Sequence, residues 1–287
     1  MSNSGQALQA SQQKFGIKAA KELLKSDEIA KAFHAVLDQE AGGFLMSVTQ
    51  LISNKNFEDV EVSSVLGAAM VAATLRLPVV PSLGFAAIIP YFNGKRKVKE
   101  AQFQIMKNGY VQLALRTAQY NIINADAYYE GEVERINRMT GAIELKPDFV
   151  IGPDSKVAGY FSYIRLNSGY EHQFWKPIEW LEAHGKRYSK SYFGLWTSDF
   201  DKMALKTVLK LNIKHYGEMS TALEMAQRAD QSVARLTDAG AIDYDYPDNP
   251  EDEEGEIEAP KSKEETILAK IEKGEGGKKK FFCWLRQ

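Results

Sequence analysis

The amino-acid sequence predicts an α+β fold with a helical N-terminal part, a central antiparallel β-sheet that carries a basic hairpin, and long C-terminal helices packed against the sheet. Three observations lead to this prediction. Apolar residues recur at three- and four-residue spacing over residues 17–53, which is typical of amphipathic helices. In the middle of the chain, strand-like runs are separated by turn signals such as Asn93-Gly94, a pair typical of tight hairpins. After about residue 178 the helical spacing returns.

The helical N-terminal part is predicted over residues 17–76, after a Gln- and Ser-rich stretch at 1–16 that we expect to be a flexible arm. Gly42-Gly43 is predicted to divide the first helical stretch, because glycine is a poor helix former. A further helix is expected to begin at residues 63–64, where a serine can cap it, and to end at the Leu77-Pro78 step. These helices offer packing surfaces rather than chemistry.

The sheet-containing core is predicted over residues 77–177, with one helix at 107–119. Short turns connect the predicted strands, and strands joined in this way pair in the antiparallel sense. The predicted strand pairs are residues 83–92 with 95–105, residues 121–136 with 142–151, and residues 156–166 with 170–177.

Helices are predicted again over residues 178–239, and they complete a single domain that spans residues 17–239. Residues 240–262 are predicted to be a solvated acidic linker, because nine acids and no base lie between Asp243 and Glu258. Residues 263–287 are expected to form a short helix followed by a basic-aromatic tail. The three predicted helices of the domain lie at 178–188, 199–214 and 218–236.

Composition excludes several classes of protein. The 287 residues include a single cysteine, Cys283, which excludes an internal disulfide framework and a thiolate zinc site. The apolar runs at 65–75 and 83–92 are well short of the roughly 18 residues that span a bilayer, so we expect a cytoplasmic protein with no membrane partner. Residues 1–242 hold 28 bases and 25 acids, and a mildly basic body beside an acidic tail indicates an anionic partner.

Sequence templates for nucleotide-dependent enzymes fail. A Walker phosphate-binding loop needs Ser or Thr after Gly-Lys, but Gly94-Lys95 is followed by Arg96, and Gly185-Lys186 by Arg187. The four histidines are far apart in the sequence and show no metal-ligand spacing.

One catalytic alternative depends on Asp148, Asp154 and Lys156. In metal-dependent nucleases, two carboxylates hold a magnesium ion while a lysine orients the attacking water. Here Gly152-Pro153 separates the two carboxylates, a pattern more typical of two surface turns that flank a strand. The nuclease is therefore kept as an alternative function.

Basic residues dominate the region between Gly84 and Tyr120, where six bases face a single acid, Glu100. Aromatic and amide side chains such as Phe92 and Gln104 are interleaved with them. Cations that neutralise phosphates, beside rings that stack on bases, are typical of proteins that bind single-stranded nucleic acid. The alternative is that the rings belong to the core and the lysines only make the hairpin tip soluble.

The helix predicted at 199–214 carries a lysine at every fourth position, 202, 206, 210 and 214. Like charges at this spacing repel by roughly a few tenths of a kcal/mol per pair unless an anion offsets them. A nucleic acid is one such anion, and a solvated basic face is the alternative.

Three separate blocks of sequence resemble, in order and spacing, the RecT family of phage recombinases. The blocks are LRLPVVPSLGFAAIIPYFNG (75–94), KEAQFQIMKNGYVQLALRT (99–117) and WTSDFDKMALKTVLKL (196–211). Members of this family are single-strand DNA annealing proteins, functionally akin to the lambda phage Beta protein. The similarity runs from about residue 60 to 215, and the tail beyond about 260 has no part in it.

The resemblance implies an ATP-independent protein that binds single-stranded DNA, pairs it with a complementary strand to give duplex DNA, and assembles into rings or helical filaments. It implies no required cofactor, although a divalent metal such as Mg²⁺ is able to modulate DNA binding. The implied partners are a phage 5′→3′ exonuclease and the host single-strand-binding protein. The implied location is the cytoplasm of a bacterial host, with the protein encoded by a phage or prophage.

Carried onto this chain, the resemblance implies a DNA-binding groove built from the hairpin at 84–106 and the helices at 107–119 and 199–214. The basic members of the groove would neutralise phosphates and the aromatic members would stack against bases; no catalytic or metal-binding residue is implied. A non-catalytic oligomeric scaffold, whose basic surface meets the acidic tail of a neighbour, is a further alternative. The residues expected to bind DNA are Phe92, Lys95, Arg96, Lys97, Gln104, Lys107, Gln112, Arg116, Thr117, Tyr120, Trp196, Lys202, Lys206 and Lys210.

Overall fold

The structure, a computed structural model, describes residues 16–189, 194, 196–230, 232–236 and 242–245. All of these belong to one compact unit within residues 1–249. The predicted arm before Gly16, the linker beyond Asp245, and the predicted short helix and basic-aromatic tail at 263–287 lie outside the described residues. Among the described helices, none combines the length and the apolar character needed to cross a membrane.

Among the described residues, four α-helices form the N-terminal part, and the last of them lies in the centre of the core. Every residue of that helix from Val62 to Ala73 is buried, because its small side chains let neighbouring elements approach from all sides. The predicted break at Gly42-Gly43 is wrong: these glycines lie in the first turn of a helix, and the chain breaks instead at Ser26 and at Asp38, which has a positive φ. The helices are α1 (Ile17–Leu24), α2 (Asp27–Leu37), α3 (Ala41–Leu51) and α4 (Val62–Thr74).

The predicted basic hairpin is present as strands β1 (Ala86–Asn93) and β2 (Val98–Ile105), with Ile88 opposite Phe103. Buried side chains of this hairpin join α4 in the main hydrophobic core. The buried Ser64 of α4 accepts a hydrogen bond from the backbone of β2 at 2.8 Å. Helix α5 (Lys107–Arg116) follows β2 directly, as predicted.

The second sheet has the order β3-β6-β7, and it carries an insertion with its own small hairpin. The predicted pairing of 121–136 with 142–151 is only partly right, because β3 pairs with β6 and only the short strands β4 and β5 pair with each other. Long-range packing explains this, since Ile164 of β6 belongs to the main core. The strands are β3 (Tyr120–Tyr129), β4 (Val133–Ile136), β5 (Ile143–Leu145), β6 (Val157–Leu166) and β7 (Glu171–Pro177).

The C-terminal part differs from the prediction at its end. Helices α6 (Ile178–Tyr188), α7 (Phe200–Tyr216) and α8 (Thr221–Ala229) are followed by strands β8 (Val233–Leu236) and β9 (Ile242–Asp245), so neither the helix predicted to 236 nor a linker from 240 is correct. Close packing on α4 favours the strand: a Cβ added to Gly67 would lie 1.9 Å from the carbonyl oxygen of Ala234. The α+β class is confirmed, but the described strands divide among four antiparallel sheets rather than one central sheet.

Candidate nucleic-acid interface

The tip of the β1–β2 hairpin, residues 91–99, is built around the side chain of Asn93. Its Oδ1 accepts hydrogen bonds from the backbone N–H groups of Lys95 and Arg96 at 3.0 and 3.1 Å. Its Nδ2 donates to Oε2 of Glu100 at 2.7 Å. An asparagine that bonds the backbone two and three residues on fixes the turn, so the hairpin tip holds one shape.

Arg96 anchors the hairpin tip to the core through two buried carboxylates. Its guanidinium donates to both oxygens of Glu61 at 3.0 Å and also to Glu100. Arg235 of β8 bonds Glu100 from a different part of the chain. The hydrogen bonds and charge of Glu61, and then the charge of Glu100, raise the pKa of Arg96 above its ordinary value. The predicted phosphate contact at Arg96 is therefore occupied by protein carboxylates in this structure.

One aromatic ring and two lysines of the hairpin tip face solvent. Phe92 is 65% exposed, which is unusual for a phenylalanine, and Lys95 and Lys97 are exposed beside it. No ion pair joins either lysine to another described residue. An exposed ring on the same hairpin tip as two unpaired ammonium groups is able to stack on a base while the cations neutralise nearby phosphates.

The lysine series on α7 does not form one basic stripe. Lys202 is exposed and bonded to Asp199 at 2.8 Å, whereas Lys206 is buried, with its Nζ 3.0 Å from Asp230. Lys210 is half-buried and bonds the same carboxylate at 3.0 Å. Residues four apart on an α-helix are rotated about its axis by about 40°. Successive lysines of the series therefore do not share one face, and Lys206 lies on the buried side, where Asp230 and Tyr110 of α5 also lie. The predicted direct phosphate contact at Lys206 is not possible in this conformation.

Two ammonium groups share one carboxylate in this cluster, which leaves an excess positive charge near the surface. Burial lowers the pKa of Lys206 more than the attraction of Asp230 raises it. The two lysines together outweigh the effect of burial on Asp230, so its pKa is lowered. Sequence analysis missed Asp230 because 24 residues separate it from Lys206, and no local pattern marks a partner at that distance.

The predicted residues at the end of α5 have structural partners. Arg116 donates to the carbonyl oxygens of Leu75 and Arg76 at 2.7 and 2.9 Å, and so it caps the end of α4. Thr117 donates to the carbonyl oxygen of Ala114 within its own helix end. Lys107 and Gln112, earlier in α5, are partly exposed and remain available for a ligand.

Three other predicted residues are buried. Gln104 donates to the hydroxyl of Tyr91 at 3.1 Å. Tyr120 donates to the carbonyl oxygen of Glu218 at 2.8 Å, and burial raises its pKa to about 12. Trp196 packs against Gly185, where an added Cβ would lie 2.7 Å from the indole ring. None of the three presents a ring or amide to the surface for base stacking in this structure.

The residues of the alternative nuclease site, Asp148, Asp154 and Lys156, are all exposed in the loops between β5 and β6. In the part of the chain that the structure describes, no group of three or more His, Cys, Asp or Glu side chains is arranged to hold a metal ion.

The structure brings together part of the predicted groove. Helices α5 and α7 pack against each other, and Tyr110 lies 3.5 Å from the carboxylate that binds the two lysines. The base of the hairpin meets α5, where Met106 donates to the carbonyl oxygen of Phe85. The hairpin tip lies at the other end of β1, roughly 23 Å along the strand. The tip and the α5–α7 surface are therefore two separate basic regions.

Comparison with known proteins extends the region of similarity. A family model described as "RecT family" matches residues 42–245, which include the hairpin tip, α5, α7 and Asp230. The uncharacterized protein YqaK of Bacillus subtilis (strain 168) is 41% identical over 207 residues, which is 72% of this chain and 70% of the relative.

Proposed function

The chain belongs to the RecT family, and from that membership and the surface just described we propose that it is a single-strand DNA annealing protein of phage-type recombination that grips DNA at the hairpin tip. The observation that carries this proposal is Phe92, 65% exposed at the end of β1, on the same hairpin tip as the exposed Lys95 and Lys97, whose turn is fixed by Asn93. A hairpin tip of fixed shape, with an exposed ring and cations that form no ion pair, is pre-organised to bind single-stranded DNA, whose bases are free to stack.

The mechanism follows from which parts of the strand the hairpin tip can hold. Lys95 and Lys97 neutralise phosphates, and Phe92 stacks on a base face without reading its identity. The base edges stay free to test a second strand, so that correct pairing stabilises the complex and mismatches do not. Base pairing between the two strands supplies the free energy for annealing, so the reaction needs neither ATP nor a resident cofactor. Mg²⁺ acts only as a counterion that competes for phosphates.

The α5–α7 surface is proposed to continue the path of the strand. Lys107 and Gln112 are partly exposed there, and Lys210 has one side toward solvent. The excess positive charge shared around Asp230 attracts phosphate. In this proposal Lys206 does not touch DNA; it holds Asp230 and thereby positions Lys210.

Assembly and partners complete the proposal. A ring or helical filament on DNA requires a heterologous interface, in which two different surfaces of the protomer meet. A 5′→3′ exonuclease would expose the strand, and the host single-strand-binding protein would deliver it. These partners come from the family's mode of action.

Annealing of two complementary fluorescent oligonucleotides, without ATP and with an EDTA control, tests the proposal. We expect rapid pairing with intact strands, and a loss of on the order of tenfold or more in the Lys95→Gln/Lys97→Gln variant at moderate salt, because two phosphate contacts disappear. The matched control is Lys18→Gln/Lys25→Gln, which removes two exposed lysines of the N-terminal helices. Metal-dependent shortening of the strands would instead favour the nuclease alternative, and equal effects of both variants would contradict a specific role for the tip.

A further inference from the structure

The insertion between β3 and β6, residues 130–156, carries an exposed apolar tip. The chain leaves the second sheet at Tyr129 and rejoins it at Val157, which faces Tyr129 in the register. We call this insertion the flap, and residues 135–141 the flap tip. Met139 in the flap tip is 95% exposed and Ile136 is 49% exposed; Met139 is the most exposed large apolar side chain among the described residues.

The flap tip is ordered by hydrogen bonds, although Met139 is almost fully exposed. Oδ1 of Asn137 accepts from the backbone N–H groups of Met139 and Thr140 at 3.0 and 3.3 Å. Nε1 of Trp175 in β7 donates to the carbonyl oxygen of Gly141 at 2.8 Å. Gly141 has φ +71°, a conformation that glycine adopts without strain. The exposure of Met139 is therefore held in place by the fold.

Charge distinguishes the flap tip from the rest of the flap. No acid lies between Glu134 and Glu144, and this interval contains Arg135 and Arg138. Arg135 is bonded to Glu144 at 2.6 Å, whereas Arg138 is exposed and has no partner among the described residues. The flap tip thus combines an uncompensated cation with an exposed apolar side chain.

A second exposed apolar site in the flap has the opposite surroundings. Val150 is 83% exposed and Ile151 is 59% exposed, but Asp148 and Asp154 flank them. No base lies between Lys146 and Lys156, so this site offers a phosphate no cation of its own. The contrast within one flap provides an internal control.

We propose that the flap tip is a second DNA-contacting element, in which Met139 and Ile136 pack against the faces of unpaired bases while Arg138 neutralises an adjacent phosphate. Apolar wedges of Met or Ile beside arginine are a chemistry that proteins use against base steps. The inference rests on the proposed function and adds a place where the strand is unstacked before it pairs. A second copy of the protein is the other possible occupant of an apolar surface, but the free cation of Arg138 favours a polyanion.

Three single variants of the full chain test this inference with a single-stranded oligonucleotide that contains 2-aminopurine, whose fluorescence rises when the base is unstacked. Met139→Gln keeps the length of the side chain and makes it polar. We expect it to lower affinity by on the order of fivefold, because one partly buried apolar side chain is lost, and to lower the fluorescence rise by at least half. Arg138→Gln should reduce the slope of log K against log salt by about 0.7, the value for one phosphate contact on a single strand.

Val150→Thr is the matched control, because it makes another highly exposed apolar residue of the flap polar without changing its shape. We expect it to behave like the unaltered protein in both assays. If the unaltered protein binds DNA but Met139→Gln and Arg138→Gln behave like it, the flap-tip inference is wrong while the proposed function stands. Equal effects of Val150→Thr, or a change in oligomer mass caused by Met139→Gln, would also overturn it and indicate a protein contact. If the unaltered protein binds no DNA, the proposed function itself fails.

Discussion

Replacing Asp230 with asparagine is expected to destabilise the fold strongly. The Asp230 side chain is 1% exposed and binds Lys206 and Lys210, each at 3.0 Å. Asparagine has the same shape but no charge. Lys210 is 32% exposed and can turn its ammonium group to solvent, whereas Lys206 is 6% exposed and cannot. A buried charge that loses its partner costs about 3–5 kcal/mol, so we expect the free energy of unfolding to fall by about 3 kcal/mol at pH 7.

The double variant Asp230→Asn/Lys206→Met isolates the cause of that loss. Methionine fills the volume of the lysine stem without a charge, so the double variant should be more stable than Asp230→Asn alone by about 2 kcal/mol. Urea unfolding followed by tryptophan fluorescence measures both values. A loss under about 1 kcal/mol for Asp230→Asn, or a double variant no more stable than the single one, would refute the interior ion pair.

The loss in free energy of unfolding caused by Asp230→Asn should also become smaller as the pH rises. Burial already lowers the pKa of Lys206 in the unaltered protein, and loss of the attracting carboxylate lowers it further. Between that folded-state pKa and the unfolded value of about 10.4, the unfolded chain binds more protons than the folded one, so stability rises with pH. The difference in free energy of unfolding between the unaltered protein and Asp230→Asn is therefore expected to be smaller at pH 9.5 than at pH 7.

Two further substitutions separate positioning from DNA contact. Glu100→Gln should lower the free energy of unfolding by about 2 kcal/mol and weaken single-strand binding, because Asn93 and Arg96 of the hairpin tip both bond Glu100. Urea unfolding measures the first effect and fluorescence anisotropy the second. Unchanged binding would show that the tip keeps its shape without this anchor. Arg116→Ala should lower the free energy of unfolding by about 1–3 kcal/mol, since two carbonyl oxygens lose a charged donor, but leave DNA affinity unchanged. Reduced DNA affinity without a loss of stability would instead support the phosphate contact that the sequence predicts.

Local signals account for the parts of the fold that the sequence predicts well. The Asn93-Gly94 turn and the strands on either side of it are found close to where they are expected, because the turn and its capping bonds lie within eight residues. Helix α5 is also local. The pairing of β3 with β6, and the strand at 233–236, depend on packing against α4 and α7, which a local pattern does not encode. Those are the elements that sequence analysis gets wrong.

The candidate site divides in the same way. Exposure of Lys95 and Lys97 follows from their place at a turn, whereas the sequence leaves open whether Phe92 is exposed or in the core, and the structure exposes it. Glu61, Asp230 and Leu75, which bond Arg96, Lys206 and Arg116, each lie more than 20 residues from the cation, so the sequence shows the cations but not these partners. A count of basic residues therefore overestimates the surface available to DNA.

The interior ion pair of Lys206 changes what the lysine series on α7 means. Lysines at every fourth position predict an external anion, but Asp230 supplies the anion from within the protein. Asp230 offsets the repulsion between Lys206 and Lys210 in the protein without DNA. The lysine series by itself is therefore no argument for DNA binding. Phosphate can recruit Lys210 only by competing with Asp230, whereas Lys95 needs no such exchange because no ion pair holds it among the described residues. We therefore expect a strand to bind first at the hairpin tip, and the α7 surface to follow once the strand is held nearby.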